Sequence, residues 1–509
     1  GSFALAPYLG QNFFPSVANT QLKLHVRAPT GTRIEDTALI CDGVEAAIRR
    51  IVPHAGLGPI VDNIGLPVSG INSTYNNSGT VGPGDADILI TIKPEYASEA
   101  DGYIKRMRET LPRLFPGTNF AFLPADIVSQ ILNFGLPAPI DVQIVGSKFE
   151  ANHIYANKLL RRIARVPGVA DARIQQASNN PTLGVEVDRT RAAQVGLNEA
   201  DIARSLQESL SGSFKVAPTF WINPKNGVAY PIVAQTPQYW LDSMSSLENI
   251  PASREDASQI LGGLATLKRG VSPSVVSHYA VQPVLDIYAT NNDRDLGAVS
   301  ADIQKIVDET ASELPPGSSV VLRGQTQTMT YAYRQLFVGI ALAIVLIYLL
   351  IVVNFQSWLD PFVIVSGLPT ALAGIVWMLF ITHTTLSVPA LTGAIMCMGV
   401  ATANSILVVS FARERLAEGA DALTAAIDAG FTRFRPVLMT ALAMIIGMAP
   451  MALSGELNAP LGRAVIGGLI CSTVATLLFV PAVFRLVHAR QPSQASEPAP
   501  NLPAEASPI

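Results

Sequence analysis

The side chains that could do chemistry in this chain lie within or beside long apolar stretches. Asn404 lies in the middle of an apolar stretch, and Arg433 and Thr440 flank the start of the next one. An amide inside an apolar segment is costly unless a neighbouring helix supplies a hydrogen-bond partner. An arginine beside such a segment ordinarily marks its cytoplasmic end, and a threonine within it ordinarily bonds its own helix backbone.

Motifs for enzymatic chemistry do not occur in the sequence. It contains no Walker A loop, zincin motif or nucleophile elbow, which argues against ATP-driven or hydrolytic chemistry. Only Met107 and Met244 precede residue 325, and no His/Cys cluster there has metal-ligand spacing. We therefore predict that the protein is not an enzyme, uses no cofactor and holds no metal site, and we disfavour metal export.

Residues 335–484 are almost free of charge, and this stretch must position the polar residues above. A bilayer core of ~30 Å needs ~20 apolar helical residues. Five spans fit between the charged positions. They are predicted at Leu336–Val353, Pro361–Ile381, Leu386–Phe411, Pro436–Leu453 and Ala464–Phe484.

The arginines next to the spans predict the orientation of the chain. Short loops rich in Lys/Arg lie on the cytoplasmic side, and such residues occur in the loop 412–435 and directly after residue 484. Residues 1–330 are then on the opposite, periplasmic side. We predict that 491–509 is a disordered cytoplasmic tail and that 1–19 is the stump of a truncated transmembrane helix. The net charge of −4, without a Lys/Arg cluster, argues against a nucleic-acid partner.

In the polar front of the chain a unit recurs, in which an amphipathic helix ends at Pro-Gly and an alternating strand follows. The pairs are Pro116-Gly117, Pro167-Gly168 and Pro316-Gly317. Capping-box spacing at Thr32-x-x-Glu35 and Ser147-x-x-Glu150 predicts helix starts. The predicted fold class is an α-helical transmembrane bundle plus α+β subdomains of the split βαβ (ferredoxin-like) type, with an insertion over 182–267.

Four strings of residues resemble a known family. They are VEVDRTRAAQVGL (185–197), NFQSWLDPF (354–362), GVATANSIL (399–407) and RFRPVLMT (433–440). In this order and topology the chain resembles the C-terminal half of a resistance-nodulation-division (RND) efflux permease. The branch it resembles is that of the multidrug exporters (hydrophobe/amphiphile efflux, acriflavine resistance).

The resemblance implies a domain plan and partners. One porter subdomain covers 20–131, a second covers 132–185 with 276–325, a docking subdomain covers 186–275, and the transmembrane domain covers 332–490. The implied partners are the N-terminal half of the permease, further copies in a homotrimer, a periplasmic adaptor protein and an outer-membrane channel. The implied location is the bacterial inner membrane, in contact with lipid.

The resemblance also implies coupling residues. In this family an aspartate pair of the N-terminal half interacts with a lysine of this half, aided by an arginine and a threonine. Arg433 and Thr440 fall on the last two, and the lysine position is Ala403, beside Asn404. Without a cation there, buried aspartates should hold protons, because desolvation and mutual repulsion raise the pKa of a carboxylate. For Asn404, helix packing and a relay role both stay open.

The expected substrate residues are aromatic. Tyr75 lies in the segment 64–85, which resembles the flexible loop at the family's pocket, and Phe120, Phe122 and Phe134 match the strand and turn that line it. Aromatic side chains suit loosely specified apolar ligands, although Phe120 and Phe122 also fit an ordinary strand core.

The leading hypothesis is an antiporter that exports hydrophobic or amphipathic small molecules, driven by an ion gradient and most simply by protons. The alternatives are a metal-ion exporter of the same superfamily and a non-transporting membrane sensor or scaffold. An acidic residue in the fourth span of the partner half would discriminate export from the sensor.

Overall fold

The computed structural model describes residues 2–15, 20–66, 80–254 and 257–488. The predicted tail lies outside this range. Two compact units are present, Gln176–Val275 and the remainder of the chain. Near the start, Ser2–Tyr8 form a short 3₁₀-helix. The interpretation of 1–19 as a truncated span stays a prediction.

The first part of the larger unit alternates strands with short helices. Its elements are β1 Gln21–Arg27, α1 Ile34–Ile51, β2 Leu57–Ile64, β3 Asp85–Ile92, α2 Ala100–Leu114, β4 Asn119–Leu123, α3 Ile127–Leu132, β5 Ile140–Val145, α4 Phe149–Ile163 and β6 Val169–Ile174. Helix α1 has Cys41, Val44 and Ile48 fully buried, because their three- and four-residue spacing forms one apolar stripe.

The smaller unit has its own core. Its elements are β7 Asn180–Val187, α5 Arg189–Gln194, α6 Glu199–Ser211, β8 Thr219–Ile222, β9 Ala229–Ile232, α7 Met244–Glu248, β10 Pro251–Arg254, β11 Ala257–Ile260, α8 Leu261–Leu264 and β12 Ala265–Ser272. Strands β7 and β12 pair antiparallel along their whole length. Asp188 then ends the strand and caps α5, since its carboxylate accepts hydrogen bonds from the backbone N–H groups of Thr190 and Arg191.

The chain returns to the larger unit and then enters the apolar helices. These elements are β13 Ser277–Tyr279, β14 Gln282–Asn291, α9 Leu296–Glu309, β15 Ser319–Gly324, α10 Gln325–Phe355, α11 Leu359–Val365, α12 Leu368–Ile381, α13 Val388–Ala417, α14 Ala422–Leu453, α15 Ala459–Val474 and α16 Val480–His488. A π-helical turn, Ala475–Phe479, joins the last two. Strand β15 runs directly into α10 without a linker.

Two antiparallel sheets lie in the part of the larger unit that precedes α10. The first has the order β2-β3-β1-β4, and the second has the order β13-β14-β5-β15 with β6 also paired to β14. One face of each sheet is apolar and packs against helices: Leu24, Ile88 and Ile90 lie in the first core, and Val142 and Ile287 in the second. These are the α+β layers that the recurring unit predicts.

The sheets contact each other through charged residues. Arg27 of β1 donates hydrogen bonds to the carbonyl oxygens of Ile174 and Gln175, at 3.1 Å each, and bonds Asp85 at 2.8 Å. On the second sheet Asp141 is fully buried, and desolvation followed by the nearby charge of Asp286 holds the pKa of Asp141 well above its ordinary value. This face is polar because it meets another sheet instead of helices.

The helix starts predicted by the two motifs are confirmed, since α1 begins at Ile34 and α4 at Phe149, but the motifs do not form capping boxes. The N-cap positions are Arg33 and Lys148, and neither makes a side-chain cap. The hydroxyl of Thr32 instead donates to the carbonyl oxygen of Pro29 at 2.6 Å. A tight turn at Pro29 competes for that hydroxyl.

In the described part of the chain, five helical segments are long and apolar enough to cross a membrane. They run Gln325–Phe355, Leu359–Ile381, Val388–Ala417, Ala422–Leu453 and Ala459–His488. The second is interrupted between α11 and α12, where Pro369 removes a backbone donor. The predicted fold class is thereby confirmed. The helices extend beyond the charge-free stretches because charge sets the limits of the apolar core and not those of the helix.

Glycines allow α12 and α15 to approach closely. A β-carbon added to Gly374 would lie 2.5 Å from the carbonyl oxygen of Gly467, and one added to Gly467 would lie 2.2 Å from Cβ of Met378. Small residues let transmembrane helices pack backbone against backbone. This contact therefore depends on both glycines.

Candidate functional site

The structure brings Asn404 and Thr440 together. Asn404 is buried on α13, and its Oδ1 lies 3.4 Å from the hydroxyl of Thr440 on α14. The same hydroxyl donates at 3.0 Å to the carbonyl oxygen of Val437 in its own helix. One hydroxyl carries one hydrogen, so the shorter bond takes most of it. Asn404 therefore keeps spare hydrogen-bonding capacity.

Arg433 stands two turns from Thr440 on α14, which is about 10 Å along the helix axis. Its side chain is half-buried, and its guanidinium carbon lies 5.3 Å from the ring centre of Phe411 on α13. Its Nε is buried and has no hydrogen-bond partner among the described residues. A buried donor without a partner is costly, so this site is polar but incomplete.

The predicted lysine position, Ala403, is exposed on α13. Gly399, one turn earlier, has open space around it within the described structure, as does Gly447 on α14. Thr440 and Ala443 are exposed as well. Small side chains thus form an uncovered face across α13 and α14, beside the contact between Asn404 and Thr440. We call it the small-residue face.

The sequence did not lead us to predict a charged cluster at the N-terminal end of α11. Asp360 is buried, with Nη1 of Arg413 at 3.2 Å from its Oδ2 and Nε2 of His488 at 3.2 Å from its Oδ1. These residues come from three different spans. The Asp-Pro in NFQSWLDPF was the available signal, but the sequence does not state which residues it meets.

Two predicted substrate residues lie on the apolar face of the first sheet. Phe122 is buried in the helix-facing core, opposite Leu24 in the register of β4 with β1. Phe120 is partly buried and meets Phe115 edge to face at 6.3 Å. Both rings belong to the helix-facing core, and the guanidinium carbon of Arg108 also lies 5.3 Å from the ring centre of Phe122. Their role in substrate binding stays a prediction.

The other two predicted substrate residues are placed differently. Phe134 follows α3 and is 70 % exposed, with a positive φ of 57°. Such a backbone conformation is strained for a bulky residue and occurs at turns and functional sites. Tyr75 lies outside the described residues.

A cavity of about 910 Å³ lies between α2, α3, the turn from β14 to α9 and the loop that joins α14 to α15. Its lining includes Val128 and Leu132 of α3. More than half of the other lining side chains carry an oxygen atom, and the lining also includes three cations, Lys105, Arg108 and Arg294. The carboxylates are Asp101, Asp126, Asp293, Asp295 and Glu456, and the amides are Asn12, Asn291, Asn292, Gln325 and Asn458.

Some of the cavity's charges are paired and others are free. Lys105 bonds Asp293 at 2.9 Å, and this hydrogen bond raises the pKa of Lys105 and lowers the pKa of Asp293. Asp126 and Asp295 cap helices. Asp101 and Glu456 have neither an ion pair nor a side-chain hydrogen bond among the described residues. These two carboxylates are available to a cation.

The fold, with its membrane helices and paired α+β layers, is that of a multi-pass protein of the inner membrane. Residues 1–488 match the model of the AcrB/AcrD/AcrF family, and the chain belongs to that family. It is an RND permease chain, and RND proteins are secondary active transporters and not enzymes.

Curated relatives include the cobalt-zinc-cadmium resistance protein CzcA of Cupriavidus metallidurans, which is 26% identical over 95% of this chain and 46% of CzcA. The cation efflux system protein CusA of Escherichia coli K12 is 28% identical over 70% of this chain and 35% of CusA. A solved heavy metal efflux pump superposes with a TM-score of 0.80 at 24% identity, covering 96% of this chain and 49% of the pump; this likeness concerns the fold alone. The chain spans about half the length of these relatives.

Proposed function

We propose that this chain is the C-terminal half of an efflux transporter that exports a divalent metal cation, driven by an ion gradient. The observation that carries the proposal is the oxygen-rich cavity. Carboxylate and amide oxygens suit hard and borderline divalent cations, whereas soft Cu(I) prefers sulfur ligands. The names of relatives such as CzcA, matched over most of the chain, support the same cargo. This proposal replaces the hydrophobe-exporter hypothesis as the leading one.

The cavity suits a cargo better than a resident metal. In the described part of the chain, no group of three or more His, Cys, Asp or Glu is arranged to hold a metal ion. Transport needs binding that is strong enough for entry and weak enough for release. Free carboxylates at Asp101 and Glu456, without a closed ligand set, meet both needs.

For coupling, we propose that Arg433, Thr440 and Asn404 face acidic residues of the N-terminal half. The unpartnered Nε of Arg433 and the spare capacity of Asn404 support this role. The small-residue face offers a surface on which further helices can pack closely. Since Ala403 supplies no charge, Arg433 is a cation that this half offers to that contact.

The assembly is also a proposal. The chain covers about half of its relatives, so a complete transporter requires the N-terminal half. A homotrimer with a periplasmic adaptor protein and an outer-membrane channel is the arrangement that membership of the family favours.

Export of hydrophobic molecules remains the second candidate because α3 carries an exposed apolar surface. Ile127 is 73 % and Ile131 67 % exposed, and Phe134 extends this surface beyond the helix. Exposed apolar patches of this kind mark interaction sites.

Cells without their own metal and drug exporters would test the cargo. They would produce this chain together with the N-terminal half, and accumulation of zinc, cobalt, cadmium and a hydrophobic dye would be measured. We expect the two halves together to lower metal accumulation. Asp101→Asn and Glu456→Gln should make this reduction smaller, whereas the exposed control Glu95→Gln should leave it unchanged. A fall in dye alone would select the second candidate. No change in either would favour the sensor or scaffold.

A further inference from the structure

We propose that a groove between α14 and α16 binds one acyl chain of an anionic glycerophospholipid, whose phosphate contacts Arg485. The groove has a volume of about 420 Å³, within the usual range of ligand pockets. Apart from Arg485, the residues lining it are apolar or small. Ile427, Phe431 and Phe434 form one wall, and Leu477 and Leu478 form the other.

The shape of the groove follows from the backbone. Pro481 has no N–H and cannot bond the carbonyl of Leu477 four residues earlier, and the π-helical turn Ala475–Phe479 occurs at this point. The wider turn presents Leu477 and Leu478 to the groove. Gly430 lies in the opposite wall, where an added β-carbon would make an ordinary contact of 3.8 Å with the carbonyl oxygen of Leu477.

Length selects the occupant. From Leu423 to Phe434 the groove follows α14 for about 16 Å. This segment precedes the charge-free part of α14, but it lines the groove together with Leu477 and Leu478 of the fifth span and so lies at the depth of one leaflet. The groove is about half as long as a ~30 Å bilayer core is thick. One leaflet's acyl chain has this reach, whereas a spanning helix of another protein would need a surface of about twice that length. Phe431 and Leu478 are 82 % and 70 % exposed, so their apolar side chains are free to contact the acyl chain of a lipid.

Charge selects the headgroup. Helices α14 and α16 run in opposite directions, so Arg485 lies at the same end of the groove as Leu423, toward the cytoplasm. Arg485 is exposed and has no carboxylate partner among the described residues. A guanidinium binds phosphate oxygens in a bidentate manner, and the cytoplasmic leaflet is rich in anionic lipid. An acyl chain in the groove places its phosphate beside Arg485.

Native mass spectrometry of the full chain, purified and delipidated in mild detergent, tests this proposal. Phosphatidylglycerol and phosphatidylethanolamine with identical acyl chains would be titrated separately. We expect one phosphatidylglycerol to bind about fivefold more tightly than phosphatidylethanolamine. Arg485→Gln should remove that preference and Arg485→Lys should keep part of it. Ala482→Trp, which fills the groove, should weaken the binding of both lipids.

The controls lie outside the groove. Arg334→Gln changes an exposed arginine near the opposite ends of the spans, and Ala341→Trp adds the same bulk to an exposed position on α10. Both should leave lipid binding unchanged. Equal affinity of the wild-type chain for the two lipids, normal binding by Ala482→Trp, or a co-purifying polypeptide that blocks the lipid would each overturn the proposal. Arg485 and Ala482 are exposed, so we expect their variants to fold. Gel filtration can check that they do.

Discussion

The guanidinium carbon of Arg433 lies 5.3 Å from the centre of the Phe411 ring, so a cation rests on an aromatic face where α13 and α14 meet. A contact of this kind contributes about 0.5–2 kcal/mol. It orients the arginine and leaves its buried Nε without a partner among the described residues. The arginine is held in place and still has a donor to offer.

Arg433→Gln should therefore strongly reduce transport by the complete protein while the level of that protein in the membrane stays unchanged. Losing one member of a buried charge pair costs several kcal/mol, so we expect export to fall roughly tenfold or more. Arg433→Lys should retain part of the activity. The matched control is Arg435→Gln, because Arg435 is exposed two residues away. Wild-type export by Arg433→Gln would return this residue to a topology role.

This chain alone should not transport. The small-residue face and the unpartnered donor of Arg433 are both incomplete without further helices. Metal and dye accumulation would be compared in efflux-deficient cells producing this chain with and without the N-terminal half. Lower accumulation from this chain by itself would refute the half-transporter proposal.

Gly399→Leu should separate folding from assembly. Because the space around Gly399 is open in the described structure, the thermal stability of the isolated chain should stay the same. If the N-terminal half packs on the small-residue face, the added bulk should prevent co-purification of the two halves. Normal co-purification would place the contact elsewhere.

Gly374→Ala should destabilise the membrane bundle by about 1–3 kcal/mol, because overpacking forces the helices apart. The new methyl group would lie 2.5 Å from the backbone of α15. Gly339→Ala is the matched control, since nothing in the described structure lies within 4 Å of its added β-carbon. That control should be neutral or slightly stabilising, as alanine favours helix. Thermal unfolding in detergent measures both.

Asp62 on β2 should make stability depend on pH. Burial, followed by the charges of Glu45 and Asp42, raises the pKa of Asp62 from 3.8 to about 6. A carboxyl with a raised folded-state pKa stabilises the fold below pH ~4, and this contribution is lost as the pH rises through about 6. The loss amounts to at most about 3 kcal/mol.

Asp62→Asn removes the ionisable group, so the variant should be more stable than the wild type at pH 7 and similar to it at pH 4. Thermal unfolding at the two pH values measures the effect. The control is Asp36→Asn, an exposed carboxylate on α1. An equal gain at both pH values would exclude a role for ionisation of Asp62.

The membrane region could be predicted well from the sequence. A charge inside a bilayer is costly, so long charge-free stretches have one main explanation. The recurring helix and strand units were equally readable. The contacts of individual side chains were harder to predict from the sequence. The period of two places Phe120 and Phe122 on one face of β4, but only pairing with β1 shows that this face meets the helices.

Long-range contacts explain the remaining differences. Asp360 and His488 are far apart in the sequence, and their contact exists only because the start of α11 lies beside the end of α16. Likewise the hydroxyl of Thr32 fits a helix cap in sequence, yet the turn at Pro29 claims it. Local patterns state what a residue can do, and the packed chain decides which of those options it takes.

The direct passage from β15 into α10 has a mechanical consequence. The helix has 31 residues, which makes it a rod about 46 Å long. Gly324 is still paired with Ile140 in the sheet, and the helix begins at the next residue. A tilt of about 5° about the far end of α10 would therefore displace the edge of the second sheet by about 4 Å. We therefore expect rearrangement among the membrane helices to move Gln325, which lines the cavity.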